Sequence, residues 1–579
     1  MAASNYLFLF GDSDTPKFDT AWQAYQKGRD FNNQINLENT VKVNENFYIG
    51  KQWEGVQANG LPTPQINILK RVVGFITATI TTDNIKVNAT AMSNIPDVDK
   101  LEDPVRIINA EFDFLTEIIG VPALMREFAR NAAIDGDSCM YAFWDEDVDA
   151  GNGNHGLIKT EIIQNTRVFF GNPSDKDVQN QPFIQIAMRK PVREIQKRAK
   201  ANGIKDYVSI LPDDDDSQAV DSSKHTDGMV TVITTLYKNE EDGTVWAYES
   251  TQNCDVAKPK SLGIRLYPIV WLCWDYIQDC YHGQAMITGL VPNQIFINKA
   301  TAMAMVSMMR TAWPKMLYDR TRVKKWDNRI GSAIPVAGGD MNSVAKVIDP
   351  PSISPQVSQF IELAIMKTEE SLGATSVALG DTRPDNTSAI IALQRAAATP
   401  SEQTKQNLYK AIEDLYRIYY EFIADRYGSR TVSMQTPDEF KPAYVYAGMP
   451  IPATISTEFD FGFFKDNPFL LKLDVGASTY YSEIASMQTL ENMLMRGNIT
   501  PVQFLERVSD DYVPKRTALI EELKAAQQPM LPEGMDAGNP QPKGVEAVMQ
   551  SGLPEIKGGR GNGSLQRQIN KTGSTAGMI

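Results

Sequence analysis

Histidine, cysteine and clustered acids are where this chain could do chemistry, and their spacing supports little of it. Three histidines occur, His155, His225 and His282, and no two of them are close in sequence. A zinc site needs converging ligands, usually delivered by His pairs one helical turn apart or by Cys-x-x-Cys loops. Cys139, Cys254, Cys273 and Cys280 form no such pair. Cys273 and Cys280 lie in a Trp/Tyr-rich segment and read as buried structural thiols. The acidic run Asp213-Asp214-Asp215-Asp216 lacks the alternating spacing and closing glutamate of a calcium loop, so it reads as a solvated surface loop. There is no Gly-x-Ser-x-Gly elbow, no Walker A loop and no dinucleotide fingerprint. So small a catalytic vocabulary points to a structural or mechanical protein rather than an enzyme, with no cofactor and no metal.

The composition agrees. The chain has 579 residues, 42% hydrophobic, 9% aromatic and 22% charged, which is globular and, at about 150 residues per domain, long enough for several structural units. No apolar run of about 18 residues is present, which argues against a membrane span. The opening residues have no basic stretch ahead of their apolar patch, so no secretory leader is expected. Four cysteines in this length suit a reducing compartment. The net charge is -14. Proteins that grip nucleic acid by neutralising phosphates carry a basic surplus; tight DNA binding by the whole surface is therefore disfavoured, whereas loose passage of DNA past an acidic wall is compatible with the charge.

The elements that would position any site follow from periodicity and punctuation. Residues 17–47 read as one helix. The motif Tyr48-Ile49-Gly50-Lys51-Gln52-Trp53 follows, then a Gly/Pro loop to Pro64, an apolar helix over 66–82 and a strand over 85–92. A long helix is expected over 104–134, broken in two at Gly120-Val121-Pro122 and ended at Gly136. Strands dominate to about 190, with a helix over 192–203, a hairpin over 229–250 and a strand in 266–276.

The segment from Met286 carries the most information. Between Ile287 and Met309 only Lys299 is charged, among Met303, Met305, Met308, Met309, Ala300, Ala302 and Ala304. A helix apolar all round must be covered on every side: it is either a core helix or a helix packed between neighbouring subunits, where small residues permit close approach and methionine fills gaps. Asn293, Gln294, Asn298 and Lys299 exclude a membrane span. Short strands are expected at 314–320, 332–339 and 344–352. Residues 313–330 carry six basic residues, Lys315, Arg320, Arg322, Lys324, Lys325 and Arg329, against Asp319 and Asp327; this local surplus is either a solvated turn or a contact surface for an acidic partner. A second helix over 354–372 breaks at Gly373. A polar loop leads to a third helix, expected to continue to Tyr427 with a kink at Thr399-Pro400. Strand-like pieces follow Gly428, then two helices over 479–496 and 500–526. The Pro/Gly/Gln-rich remainder from Gln527 has too little apolar content to bury and reads as a flexible tail.

In this order, the Tyr-x-Gly-x-Gln-Trp opening, the apolar helix with GLVPNQIFINKATAMAM (289–305), the small β insert, the second helix, the loop GATSVALGDTRPDNTSAIIALQ (373–394) and the long helix resemble the portal proteins of tailed double-stranded DNA bacteriophages. The resemblance covers roughly residues 40–525. It implies an α+β ring subunit: an N-terminal arm (1–39), a mixed α/β wing (40–285), a stem helix (286–312), a small β-containing clip (313–353), a second stem helix (354–372), a tunnel loop (373–387), a long helix with further wing (388–478), crown helices (479–526) and the tail (527–579). It implies a homo-oligomer, a ring of twelve, at one capsid vertex of the virion, assembled in the host cytoplasm. Double-stranded DNA would pass without sequence specificity along tunnel-loop residues Thr375, Ser376, Asp381, Thr382, Arg383 and Asn386. Ala300, Met303, Ala304 and Met308 would lie at the subunit interface. Lys315, Arg320, Arg322, Lys324, Lys325 and Arg329 would dock the terminase large subunit and later the head-completion, adaptor and tail proteins, with the major capsid protein as a further neighbour. ATP hydrolysis would belong to the motor. A competing reading comes from Gly11-Asp12-Ser13-Asp14-Thr15 after an apolar run, which faintly resembles the nucleophile loop of magnesium-dependent haloacid-dehalogenase-like phosphatases, with Asp12 as nucleophile and Asp14 as acid/base; Gly11 interrupts that pattern. A third is a virion protein that oligomerises without forming a channel.

Overall fold

Turn residues set the order of elements. A computed structural model describes residues 16–82, 85–90, 102–151, 154–213, 228–312, 316–327, 334–340, 343–347, 355–371, 402–435, 445–446, 449–450, 454–467, 469–475, 490–508, 519–520 and 523. The expected first helix is two, α1 (Phe18–Gln34) and α2 (Leu37–Ile49). The chain breaks at Asn36, whose φ of 55° is left-handed, a conformation asparagine tolerates better than other side chains. The Asn67 side chain accepts from Lys70 N at 3.0 Å to start α3 (Ile68–Ile80), and its amide donates to Tyr48 O at 2.8 Å, tying that start to the end of α2. β1 spans Ile85–Thr90. The long helix divides at Gly120 as its sequence implies, into α4 (Glu102–Ile119) and α5 (Val121–Asp135), with Pro122 in the first turn of α5.

Two antiparallel sheets follow. β2 (Asp137–Gly151) lies between β3 (Asn154–Ile163) and β9 (Ile269–Cys273). A five-stranded sheet runs in simple sequence order: β4 (Val168–Phe170), β5 (Phe183–Pro191), β6 (Met229–Lys238), β7 (Val245–Ser250) and β8 (Asp255–Ser261). Helix α6 (Val192–Ala201) interrupts this meander and buries Val192, Ile195 and Ala199 against Val230, Val232 and Val256. Asp213 does not behave as part of a solvated acidic loop. Its carboxylate pairs with Arg189 at 2.9 Å and accepts from Thr231 N at 2.7 Å, with both side chains about nine-tenths covered. The rest of that acidic run lies outside the described residues.

Next come α7 (Val291–Ala312), the short pair β10 (Met316–Tyr318) and β11 (Ala345–Val347), α8 (Pro355–Ser371) and α9 (Glu402–Arg426). Of the strand expected over 332–339, the described residues 334–339 form none. β12 (Ser429–Gln435), β13 (Val445–Tyr446), β14 (Met449–Pro450), β15 (Thr454–Asp460), α10 (Phe463–Asp466) and β16 (Leu470–Val475) complete the first of two units, Met1–Ser486. β16 pairs antiparallel with β1, Ile85 opposite Val475. One core joins α3, α5, α9 and the β2 sheet, with Leu69, Phe128, Ile158, Tyr419 and Phe422 at its centre. Cys139 and Cys254 are buried, whereas Cys273 and Cys280 are half-buried rather than fully enclosed.

The second unit, Met487–Ile579, contains α11 (Pro501–Arg507). Thr500 and Gln503 form a reciprocal cap at its start. The helix ends at Val508, in extended backbone, so the helix expected over 500–526 is not continuous. Among the described residues, no helix is long and apolar enough to cross a membrane.

Candidate oligomer-contact helices and basic tip

The root of α7 is fixed by buried amides. Gln294 accepts from Ile68 N at 3.2 Å and donates to Ile66 O and to Asn298 Oδ1, the latter at 3.0 Å. Asn298 donates to Gln52 Oε1 at 2.6 Å, and Gln52 donates to Phe47 O at 3.2 Å. All three amide side chains are buried, where an unmatched amide would cost roughly 1–3 kcal/mol; together they fix the register of α7 against α2 and α3. The Tyr48–Trp53 motif thus has a defined role, since Gln52 anchors the helix root and Trp53 Nε1 donates to Pro64 O at 2.8 Å to pin the following loop.

A second set of contacts ties the chain entering α7 to the end of α5. Asn44 donates to Ile134 O at 2.8 Å and to Thr288 Oγ1 at 2.9 Å, and Met286 N donates to Ala133 O at 3.0 Å. Buried His282 lies between Asp137 Oδ2 at 3.0 Å and Asn32 Oδ1 at 3.2 Å, with its ring tilted against Tyr281. Asp137 Oδ2 also accepts from Gly283 N at 2.9 Å. His282 is therefore a latch within the fold, and among the described residues no His, Cys, Asp and Glu side chains group to hold a metal ion.

Asp135 sits at this junction with its carboxyl pushed up to about 7, first by burial and then by repulsion from Glu45 and Asp137, with Arg130 acting against the shift. Arg130 itself is engaged by Glu45 at 2.7 Å. The raised value means that the folded chain holds a proton between about pH 4 and 7 that the unfolded chain releases. Stability from this group is therefore fully present below about pH 4 and is lost as pH rises from there to about 7. Asp135→Asn is expected to flatten that slope and to raise stability at pH 8 by about 2–4 kcal/mol, read as denaturant midpoints at pH 5 and pH 8.

Beyond its root, α7 leaves the body of its own subunit. Val291, Gln294, Ile297, Asn298 and Ala300 are buried, whereas Met303 and Met308 are 64% and 66% exposed. Ala304 is half-buried, and Phe296, Met305 and Met309 are exposed. Ala300 is covered by its own chain, so it supports the helix, while Met303, Ala304 and Met308 lie along the uncovered part. α8 packs beside α7, with Phe296 and Phe360 edge to face at 5.7 Å. Its Ile361, Ala364 and Ile365 turn toward the core, and Val357, Leu363 and Met366 are exposed. The methionine-rich composition made the uncovered helix legible; its α8 counterpart carried no comparable signal, because its apolar residues are spread around the helix.

At the tip between the two helices, Arg320, Lys324 and Lys325 are exposed. Arg322 is occupied internally: its guanidinium donates to Gly338 O at 3.1 Å, Asp340 O at 3.2 Å and Ser343 Oγ at 3.0 Å. These bonds hold residues 338–343 beside the turn and leave the positive charge without a carboxylate among those acceptors. Lys315 and Arg329 lie outside the described residues, as do the tunnel-loop positions Thr375, Ser376, Asp381, Thr382, Arg383 and Asn386, and the phosphatase-like Asp12 and Asp14.

Residues 192–446 match the model of the phage P22-like portal protein family. The portal resemblance drawn from the order of features is thereby borne out; the matched span is narrower than residues 40–525 and contains α7, the tip and α8. No curated protein matches the chain.

Proposed function

We propose that this chain is the subunit of a portal ring of twelve copies that sits at one capsid vertex and conducts double-stranded DNA during packaging and ejection. The observation that carries the reading is the uncovered apolar part of α7, within the segment that matches portal proteins. A contiguous apolar surface of this kind marks an interaction site, and a head-to-tail contact that closes on itself makes a ring. The wing, stem, clip, tunnel loop, crown and tail boundaries drawn from the sequence are part of this proposal. The net charge of -14 favours sliding of DNA over capture, and contacts from Thr375, Ser376, Asp381, Thr382, Arg383 and Asn386 to the phosphate backbone would be independent of sequence.

Electron microscopy of the purified chain, with the particle mass measured in parallel, tests the reading. A closed ring with a central hole about as wide as duplex DNA, roughly 20 Å given its phosphate-lined cylinder, is the expected image. A chain that stays monomeric at high concentration in several salts would overturn it.

The basic tip is proposed to dock the terminase large subunit, and the head-completion, adaptor and tail proteins after it. Lys324 and Lys325 are exposed, so Lys324→Glu with Lys325→Glu should leave rings intact while weakening motor binding about 10-fold or more, through charge reversal at a complementary surface. Pull-down of the motor subunit by assembled rings reads this out; undiminished binding removes the tip from the docking surface.

A further inference from the structure

The chain beside the root of α7 contains a pocket of about 260 Å³, lined by Phe47, Trp53, Val56, Ile295, Asn298 and Lys299 among others. That is room for several waters or one large side chain. Its walls join the Tyr48–Trp53 motif to α7, and its rim includes Val56, which is 55% exposed.

Helical geometry continues the pocket into a seam. At 100° per residue, Ile295, Asn298, Ala302, Met305 and Met309 follow one another at alternating spacings of three and four along one side of α7, as in the contact stripe of a coiled coil. The subunit's own α8 does not cover this seam at its root. It meets α7 through Phe296, about 100° around the axis from Ile295. The seam therefore begins at a socket and continues past small Ala302 to two exposed methionines.

The other face of the same two-helix arm has the complementary shape and charge. Ile361, Ala364, Ile365 and Thr368 turn α8 toward its own core, which leaves Glu362, Leu363 and Met366 together on the opposite side, the last two exposed at 43% and 47%. α7 contains Lys299 and Arg310 and no acid. α8 contains Glu362, Glu369 and Glu370 against one lysine, Lys367. Glu369 pairs with Arg71 and Glu370 with Lys367; Glu362 is exposed and stands outside both pairs. One face thus presents a socket with an exposed lysine at its rim, and the other presents apolar knobs beside an exposed glutamate. A head-to-tail ring joins two different surfaces of one chain, and these two faces are complementary.

We infer that the occupant of the Trp53 pocket is a second copy of this chain, whose α8 seats Leu363 and Met366 against the seam of α7 and brings Glu362 to Lys299. This rests on the ring reading and specifies its joint. The test is cysteine cross-linking of the full-length chain carrying Val56→Cys and Met366→Cys together, treated with a short bismaleimide after assembly, with each single variant as control. Both positions are exposed, so the variants should fold. The expected result is a ladder of covalent oligomers extending toward the ring size from the double variant, at least about 10-fold more intense than from either single. Rings of normal mass with no ladder above the single variants would overturn this joint and leave the ring standing. Absence of rings from the unsubstituted chain would remove both.

Discussion

Ala304→Glu is expected to yield a folded subunit and no rings. Ala304 follows Ala300 by one helical turn and precedes Met308 by another, on the part of α7 that its own subunit leaves half or fully bare. In the isolated chain the new carboxylate reaches solvent, and exposed substitutions of this kind typically change stability by no more than about 0.5 kcal/mol. In the ring the same position would be closed in by a neighbour with no cation placed to meet it. An uncompensated buried charge costs about 3–5 kcal/mol, which weakens each contact by at least about 100-fold, and every contact around a closed ring carries the same defect. Light scattering after size exclusion should therefore show monomer where the unsubstituted chain shows rings, while circular dichroism and thermal unfolding of the monomer stay close to the parent. Rings of normal size and abundance from this variant would place the Ala300–Ala304–Met308 side of α7 away from the subunit contact.

What could be read in advance and what could not divides by the distance over which the causes act. The division of α4 from α5 was legible because Gly120 and Pro122 act on their own neighbours. The uncovered helix was legible because a 23-residue stretch with one charge has no solvated face to offer. The split at Asn36 was missed because the apolar spacing runs through it, and only the left-handed backbone of that residue reveals the turn. β16 was missed because its partner β1 lies 380 residues earlier at Thr90–Leu470, and a six-residue strand has little pattern of its own. The anchoring of α7 rests on Gln52 and Asn298, 246 positions apart; each amide looks like an ordinary surface residue until the fold brings them together. Charge is similarly ambiguous. Arg322 and Lys324 belong to one basic run, but Arg322 is engaged by backbone carbonyls of the same turn while Lys324 is exposed, and composition does not distinguish the two. Asp213 shows the converse, an acid in a polar run that serves as half of an enclosed ion pair.

Gly136→Ala should destabilise the subunit more than any other single methyl group added at its helix ends. Gly136 joins α5 to β2 with φ of 102°, a conformation that costs an L-residue about 1–2 kcal/mol. An added Cβ would also lie 2.6 Å from Gly283 O and 3.1 Å from Ala285 N. Both are backbone atoms, and neither can swing aside as a flexible side chain would. That backbone is held in place, since Gly283 N donates to Asp137, Met286 N donates to Ala133 O, and Trp274 N donates to Gly136 O itself. With a steric term of about 1–3 kcal/mol, the loss comes to roughly 2–5 kcal/mol, a large part of the 5–15 kcal/mol typical of a folded domain. Gly120→Ala separates the two terms: its φ of 70° is also left-handed, but nothing lies within 4 Å of the added methyl group, so only about 1–2 kcal/mol should be lost. Denaturant midpoints for the two variants test the difference. Equal losses would mean that the contact with 283–285 yields freely. A larger loss at Gly136, with ring yield falling under conditions where the chain remains folded, would show that the junction between α5 and the segment entering α7 sets the angle at which the arm meets its neighbour.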